Sequence, residues 1–340
     1  MSQAVKIAVG ISGGVDSTVA ALLLRERGHD VVGVTMTLGR AYEEQSLAEA
    51  KSAAERLGIP LHVFDFAAEW KREILRYVAE TYLGGETPNP CVRCNETVKF
   101  ALLPRAAFAL GCERFATGHY ARVGIGDSGE GIRLSRGADH GKDQSYFLYR
   151  VKPEILAKTV FPLGGMTKDE VRAKAREFGL AVAEKGDSQD FCGGDPMAIV
   201  GAEPREGNIV TTDGKVLGKH RGFWNYTIGK RKGLGIGGGT PYYVVALRPE
   251  TNEVVVGFKD AALVTEFSVR DAVTFGTVDP AEPLTVKVRS AGEPKGPVCW
   301  DGATVRCPDG FPGVAPGQSA VLFRGDEIVG GGIICKGGGV

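Results

Sequence analysis

Apolar positions in the first third of the chain follow two alternating rhythms. Val5-Lys6-Ile7-Ala8-Val9, Asp30-Val31-Val32-Gly33-Val34-Thr35-Met36, Leu61-His62-Val63-Phe64-Asp65 and Arg114-Phe115-Ala116-Thr117 are short β-type runs. Between them, Val19, Ala20, Leu22 and Leu23 share one helix face that ends at Gly28. Leu47, Ala50, Ala54 and Leu57 share another, closed by Gly58. A longer helical pattern runs from Ala67 to about Leu83 and stops at Gly84-Gly85. Lys99, Phe100, Leu103, Ala107 and Leu110 make one more, capped at Gly111. Strands alternating with helices predict a parallel sheet with helices on both faces, and such sheets bind ligands at the carboxyl ends of their strands. Ala121 to Leu134 reads as a hairpin, and Thr167 with Glu170 forms a capping box that opens a helix ending at Gly179.

Beyond Cys192 helical periodicity fades, while Gly and Pro become dense. Tyr242–Leu247, Glu253–Gly257, Leu284–Arg289, Ala320–Phe323 and Ile328-Val329 are β-type runs, and Asp213-Gly214 is a hairpin turn. The pattern predicts an α/β N-terminal domain over residues 1–195. Two small β-rich domains follow, a central one over 196–267 and a β-barrel over 268–340.

At 340 residues the chain is long for one domain, which agrees with that division. A charged fraction of 24% and an apolar fraction of 43% are those of a soluble globular protein. No run is long and apolar enough to span a membrane, and the first strand starts too early for an export signal, so a cytoplasmic protein is expected. Lysine plus arginine equals aspartate plus glutamate at 41 each, so any nucleic-acid surface must be local. Seven cysteines in such a chain argue against a disulfide scaffold and for metal or redox use of some of them.

The candidate chemistry starts between the first strand and the first helix, at Gly10-Ile11-Ser12-Gly13-Gly14-Val15-Asp16-Ser17. Glycines let the backbone approach an anion there, and the helix N-terminus favours phosphate. No Lys follows the last glycine, so this is not a Walker A loop. The order Ser-Gly-Gly-x-Asp-Ser instead resembles the pyrophosphate loop of the ATP pyrophosphatases, which have an adenine nucleotide α-hydrolase-like fold. Met36 and Gly118 fall at the carboxyl ends of their own strands. Met36 could cover an adenine or belong to the core, and Gly118 could bring bare backbone to a nucleotide.

Prolines fix an extended path through Thr87-Pro88-Asn89-Pro90 ahead of Cys91-Val92-Arg93-Cys94. A helix start and Arg93 would lower thiol pKa there, favouring nucleophilic sulfur, whereas a lone Cys-x-x-Cys is moderate evidence for zinc. Cys192 sits in a second polar loop, after Ser188-Gln189-Asp190. Cys112, Cys299, Cys307 and Cys335 have the contexts of incidental thiols. From Gly214 to Gly235, Lys215, Lys219, His220, Arg221, Lys230, Arg231 and Lys232 occur without an acid, interleaved with Phe223, Trp224 and Tyr226. This is either a surface for phosphates and unpaired bases or a solvated basic hairpin whose aromatics form a small core. The histidines show no metal-ligand spacing, and His119 reads as a packed polar residue.

The loop, Thr87–Pro90 with Cys94-Asn95, Thr117-Gly118-His119-Tyr120, Lys142-Asp143-Gln144-Ser145-Tyr146, Ser188–Asp190 with Cys192, and Tyr226–Gly229 through Lys232–Leu234 occur in one fixed order. Together they resemble the bacterial tRNA-specific 2-thiouridylases, the MnmA family, over almost the whole chain. The resemblance implies ATP-dependent adenylation of the C2 oxygen of the wobble uridine in tRNAs of the Lys, Glu and Gln type, with Mg²⁺. Sulfur from a donor protein, a cysteine desulfurase or a relay protein, then displaces AMP. It implies Gly10, Ile11, Ser12, Gly13, Gly14, Val15, Asp16, Ser17, Met36 and Gly118 for ATP, and Asn89, Pro90 and Cys91 around the target base. Lys142, Asp143, Gln144, Arg289 and Ser290 would contact tRNA, with Ser290 standing where the family often has Tyr. Cys94 matches the nucleophile and Cys192 the persulfide carrier, paired as a disulfide after turnover. Many relatives carry Asp where this chain has Cys91, so Cys91, Cys94 and Cys192 together are also a ligand set for a [4Fe–4S] cluster. Two alternatives stand beside this: another pyrophosphate-loop ligase, or an RNA-binding protein with zinc on the same three cysteines.

Overall fold

The computed structural model describes residues 4–40, 43–125, 131–180, 196–237 and 240–335. They form two compact units. The first comprises residues up to Ile74, Cys91–Gly193 and Asp326–Ile328; the second comprises Leu75–Pro90, Gly194–Gly325 and the chain from Val329.

The first unit is built on a five-stranded parallel sheet: β1 (Lys6–Gly10), β2 (Asp30–Thr37), β3 (Leu61–Asp65), β4 (Arg114–Ala116) and β7 (Thr159–Val160). Its order is β3-β2-β1-β4-β7, with every neighbouring pair parallel. β1 is fully apolar at its centre because helices cover both of its faces. α1 (Val15–Glu26) and α2 (Glu43–Leu57) pack on one side through Ala21, Leu24, Ala50 and Leu57. Val19 and Ala20 of α1 meet α8 (Lys168–Glu177) through Val171 and Ala175. β3 is an edge strand and largely exposed, so only the central strands carry the double cover expected of the whole sheet.

Between β3 and β4 lie α3 (Ala67–Trp70), a π-turn (Lys71–Leu75), α4 (Arg76–Leu83), α5 (Pro90–Cys94), a second π-turn (Asn95–Lys99) and α6 (Leu102–Ala109). The helical run over Ala67–Leu83 is thus present but interrupted, and its second half, α4, belongs to the second unit. β5 (Ala121–Ile125) and β6 (Ile132–Arg136) form the expected hairpin, and α7 (Pro153–Leu156) precedes β7. The capping box at Thr167 is complete, with Glu170 N–H donating to the Thr167 hydroxyl and Thr167 N–H to the Glu170 carboxylate.

In the second unit α9 (Pro196–Val200) leads to β8 (Gly207–Thr211), β9 (Val216–His220), β10 (Tyr243–Arg248) and β11 (Glu253–Gly257), a four-stranded sheet of order β10-β11-β8-β9. The last six strands are β12 (Leu263–Thr274), β13 (Leu284–Lys287), β14 (Lys295–Trp300), β15 (Thr304–Pro312), β16 (Ser319–Arg324) and β17 (Glu327–Ile334). They close into a barrel because β12 pairs with β15 on one side and β17 on the other. Trp300, Val286, Val305 and Leu322 fill its interior. β12, β14 and β15 have no apolar run of their own. β12 alternates imperfectly, with only Phe267 and Val269 fully buried, and β14 and β15 carry Gly and Pro that read as turns. β12 runs unbroken through Phe267.

Candidate active site

Strand order reverses at β1: the chain moves from β1 to β2 and β3 on one side, then places β4 and β7 on the other. Sheets of this kind bind ligands outside the carboxyl ends of the strands at such a point, here those of β1 and β4. The glycine-rich loop and Gly118 both lie there.

The loop is held by its own hydroxyls. Ser17 Oγ accepts from Ser12 N–H at 3.2 Å and donates to the Gly14 carbonyl at 3.2 Å, and the two serine hydroxyls lie 3.1 Å apart. Thr18 Oγ1 also donates to the Gly14 carbonyl, at 2.8 Å. The bonds span at most five residues, so the turn is shaped locally. Gly13 has φ +79°, and a Cβ there would lie 2.5 Å from Glu49 Cβ on α2. A Cβ on Gly118 would lie 2.7 Å from the Asp16 carbonyl carbon and 2.8 Å from Ser17 N. The sequence suggested that Gly118 bares backbone to a nucleotide; its missing side chain also admits the glycine-rich loop itself.

Asp16, in the first turn of α1, accepts from the Tyr120 hydroxyl at 2.9 Å and from Lys168 Nζ at 2.8 and 2.9 Å on its two oxygens. Lys168 is 6% exposed. Tyr120 ends the Thr117-Gly118-His119-Tyr120 motif and Lys168 follows the Thr167 cap, but nothing in their spacing linked them to Asp16, 104 and 152 residues away. Met36 is half-buried near the end of β2, opposite Phe64 on β3.

Cys91 and Cys94 lie three residues apart on α5, a spacing that puts them on one helix side. Cys94 is buried and Cys91 half-buried, and no disulfide joins cysteines among the described residues. Arg93 was expected to activate the thiols. Its guanidinium also bridges Glu73 at 2.9 Å and Glu96 at 3.3 Å. Cys192 and Ser188–Asp190 lie outside the described residues. The remaining thiols are poor nucleophiles where they are buried: burial pushes Cys307 up to about 11 and raises Cys112 as well.

Lys142, Asp143 and Gln144 divide. Lys142 is exposed. The Asp143 side chain is 1% exposed, accepts from Arg136 Nε at 3.4 Å and takes the N–H groups of Gly137 and Ser145 at 3.2 and 3.0 Å. Gln144 accepts from Tyr120 N–H at 3.1 Å through its side-chain oxygen. An Asp143 carboxylate turned inward orders this loop rather than offering itself to a partner. His119 bonds Thr117 Oγ1 at 2.8 Å between Phe100 and Phe161. Burial first, and the Lys99 charge second, hold its pKa well below the usual imidazole value, so it is neutral at pH 7.

In the second unit, Thr87–Asn89 is tied to the turn before β16. Thr87 N–H donates to the Pro316 carbonyl at 2.7 Å, and Gln318 Nε2 donates to the Thr87 and Pro88 carbonyls at 3.3 and 2.7 Å. Asn89 Nδ2 donates to Ser319 Oγ at 3.4 Å, while its N–H donates to the Tyr77 hydroxyl at 3.0 Å. Sequence reasoning missed Gln318 and Ser319, since no local signal marks a contact across some 230 residues. Arg289 and Ser290 are exposed after β13. In the basic segment, Phe223 and Trp224 are buried with Val244, Val254 and Val256, so these rings are core and cannot stack on bases. Lys230 Nζ lies 5.0 Å over Tyr226 and donates to the Asn225 carbonyl, while Arg231 and Lys232 are exposed.

A parallel sheet with a serine- and glycine-rich phosphate loop at its switch point, followed by two β domains, defines a pyrophosphate-loop protein with appended barrels. The family descriptions agree: "tRNA methyl transferase HUP domain" matches residues 5–193, "tRNA methyl transferase PRC-barrel domain" 200–258, and "Aminomethyltransferase beta-barrel domain" 264–334. The tRNA-specific 2-thiouridylase MnmA of Endomicrobium trichonymphae is 40% identical over 359 residues, covering 98% of this chain and all of that protein. Those of Rhodospirillum centenum and a Synechocystis strain are 43% and 42% identical, over 98% and 97% of this chain and 92% and 97% of theirs. The chain belongs to the tRNA-specific 2-thiouridylase MnmA family.

Proposed function

We propose that this protein is an ATP-dependent tRNA-uridine 2-sulfurtransferase acting on the wobble uridine. The full-length relationship to the 2-thiouridylases carries the reading, and the phosphate loop at the β1–β4 switch point supports it. ATP transfers AMP to the uridine C2 oxygen and releases pyrophosphate; sulfur then attacks C2, and AMP leaves with that oxygen. A carbonyl oxygen is a poor leaving group and AMP a good one, so one hard step becomes two easier ones. Gly10–Ser17, with Met36 and Gly118 beside it, receives ATP, and Asn89, Pro90 and Cys91 receive the base. Lys142, Arg289 and Ser290, all exposed, are candidates to meet tRNA of the Lys, Glu and Gln type. A division near residue 195 is supported by the gap between the first two family matches, and the matches favour a second division between 258 and 264, ahead of β12, over one at 267.

Cys94 and Cys192 carry the sulfur chemistry: a persulfide on Cys192, delivered by a donor protein, attacks C2, and Cys94 resolves it into a disulfide. The three-residue spacing of Cys91 and Cys94 on α5 favours a second reading, in which these thiols and Cys192 hold an iron–sulfur cluster. Two of those three ligands lie among the described residues; the cluster would supply a metal-bound sulfur. The described loop does not fit a protein-held Mg²⁺. Its one carboxylate, Asp16, already holds Lys168 and Tyr120, and its serine hydroxyls bond one another. No helix among the described residues is long and apolar enough to cross a membrane.

The test is mass analysis of tRNA after incubation with ATP, a thiol reductant and a persulfide donor (a cysteine desulfurase with free cysteine), with inorganic sulfide as a parallel arm that only the cluster route can use. 2-Thiouridine at the wobble position is expected, with one pyrophosphate released per thiolation. Unmodified tRNA despite ATP consumption would overturn the reading. Cys94→Ser and Cys192→Ser should release pyrophosphate yet leave the tRNA without sulfur. Iron and sulfide assay after anaerobic purification separates the two sulfur routes: an iron-free protein at full rate, with Cys91→Ser equally active, leaves the persulfide.

A further inference from the structure

The phosphate loop carries no cation of its own. From Gly10 to Ser17 its one charged residue is Asp16, an acid where four negative charges of ATP must settle. Such a loop would repel its ligand unless a cation were brought from elsewhere. The fold brings one. Lys168, the first residue of α8, extends to the loop and sets its ammonium 2.8 and 2.9 Å from the two Asp16 oxygens. The ammonium also lies 5.8 Å from the centre of the Tyr120 ring, whose hydroxyl donates to Asp16. Main-chain contacts fix where the side chain starts: Lys168 N–H donates to Asp139 Oδ2 at 3.0 Å, and Thr167 caps the helix. Burying a lysine is costly unless it is paired. Its partner here, Asp16, remains about one-third exposed. The carboxylate that holds the buried ammonium thus keeps a solvent-exposed side.

We propose that Lys168 is the phosphate-binding cation of this site, contacting the β- and γ-phosphates of ATP and the pyrophosphate that leaves. The proposal rests on the adenylation reading above. Asp16 and Tyr120 hold the ammonium in place before ATP arrives. When the bond between the α-phosphorus and its bridge to the β-phosphate breaks, the electron pair stays on pyrophosphate, and a fixed ammonium stabilises that developing charge. Lys168 thus fills the role that a Walker A lysine fills from within the loop, supplied here from a helix 152 residues away. The same pairing accounts for the poor fit of Asp16 to a divalent cation.

Calorimetric binding of ATP, AMP and inorganic pyrophosphate to the full chain tests this without turnover. Lys168→Met should weaken ATP and pyrophosphate binding by about tenfold or more, the scale of a lost charge-assisted contact, and leave AMP within about twofold. Unchanged ATP binding, or AMP weakened equally, would overturn the proposal and make Lys168 a structural partner of Asp16. If a melting curve shows Lys168→Met unfolded, Lys168→Arg decides: a direct contact changes ATP and pyrophosphate affinity and spares AMP, whereas a structural role moves all three or none. Wild-type pyrophosphate release with tRNA, run in parallel, tests the reaction separately. A wild type that prefers ATP to AMP through Lys168 but never adenylates tRNA would overturn the reaction and leave the binding assignment standing.

Discussion

The phosphate loop and the Thr87–Asn89 segment are both short, glycine- or proline-shaped turns, yet opposite forces hold them. Bonds among Ser12, Gly14 and Ser17 close the first within five residues. The second is held from Pro316, Gln318 and Ser319 of the barrel, about 230 residues away. A self-shaped loop keeps its form whatever happens in the barrel. A segment shaped from afar changes whenever the barrel does. With the base placed at Asn89 and ATP at the glycine-rich loop, as proposed above, base binding should depend on barrel integrity and nucleotide binding should not.

The largest effect expected is at the loop. Asp16→Ala should reduce pyrophosphate release by about a hundredfold or more while leaving tRNA affinity nearly intact. It also strands Lys168, a loss of up to about 3 kcal/mol, moderated because Asp16 is partly exposed. Normal pyrophosphate release by this variant would remove Asp16 from the site.

A pair of glycine substitutions is the sharpest attempt to break the comparison. Gly317 has φ +87°, and a Cβ there would lie 2.7 Å from the Thr87 carbonyl oxygen. Gly317→Ala should displace Thr87–Asn89, cost about 1–3 kcal/mol and raise KM for tRNA while sparing ATP binding. Gly118→Ala forces a Cβ against Asp16 and Ser17 backbone and should do the reverse. Steady-state kinetics with each substrate varied in turn would reject the local–distant distinction if both variants changed the same parameter.

Smaller is the effect of charge at the central domain. Arg231→Glu with Lys232→Glu should weaken tRNA binding several-fold at low salt and flatten its dependence on salt concentration, because phosphate contacts release counterions. An unchanged slope would assign these exposed cations to a solvated face. Phe223 and Trp224 predict the contrary behaviour: as core residues, their truncation should lower the melting temperature by more than it changes the salt slope.

The last effect concerns stability and pH, and leaves both substrate affinities at neutral pH unchanged. His119 titrates well below its unfolded value because burial disfavours the imidazolium. Its contribution is complete above the unfolded pKa of about 6.5 and is lost as pH falls below it, where the unfolded state gains a proton the folded state refuses. The slope is at most about 1.4 kcal/mol per pH unit. Urea midpoints between pH 7 and 5 should fall less steeply for His119→Asn than for wild type, and equal slopes would exclude this origin.

By itself the sequence determined whatever is encoded within a few residues or by simple period. β1, β2, β3 and α1 follow from apolar runs and glycine punctuation, the Thr167 capping box from four adjacent residues, and the phosphate loop from one contiguous string. The ordered motifs identified the family because they are short and contiguous. Tertiary structure alone decided what depends on residues far apart in the chain. β7 is two residues long and exists because β4 offers an edge. β12, β14 and β15 become strands by closing a barrel, despite weak alternation or turn-like composition. Asp143, Phe223 and Trp224 had sequence contexts compatible with ligand contact, and packing turned them toward backbone and core. Lys168 shows the reason most directly: its position in the sequence specifies only a helix start, and the chain's path through the sheet carries its charge to Asp16.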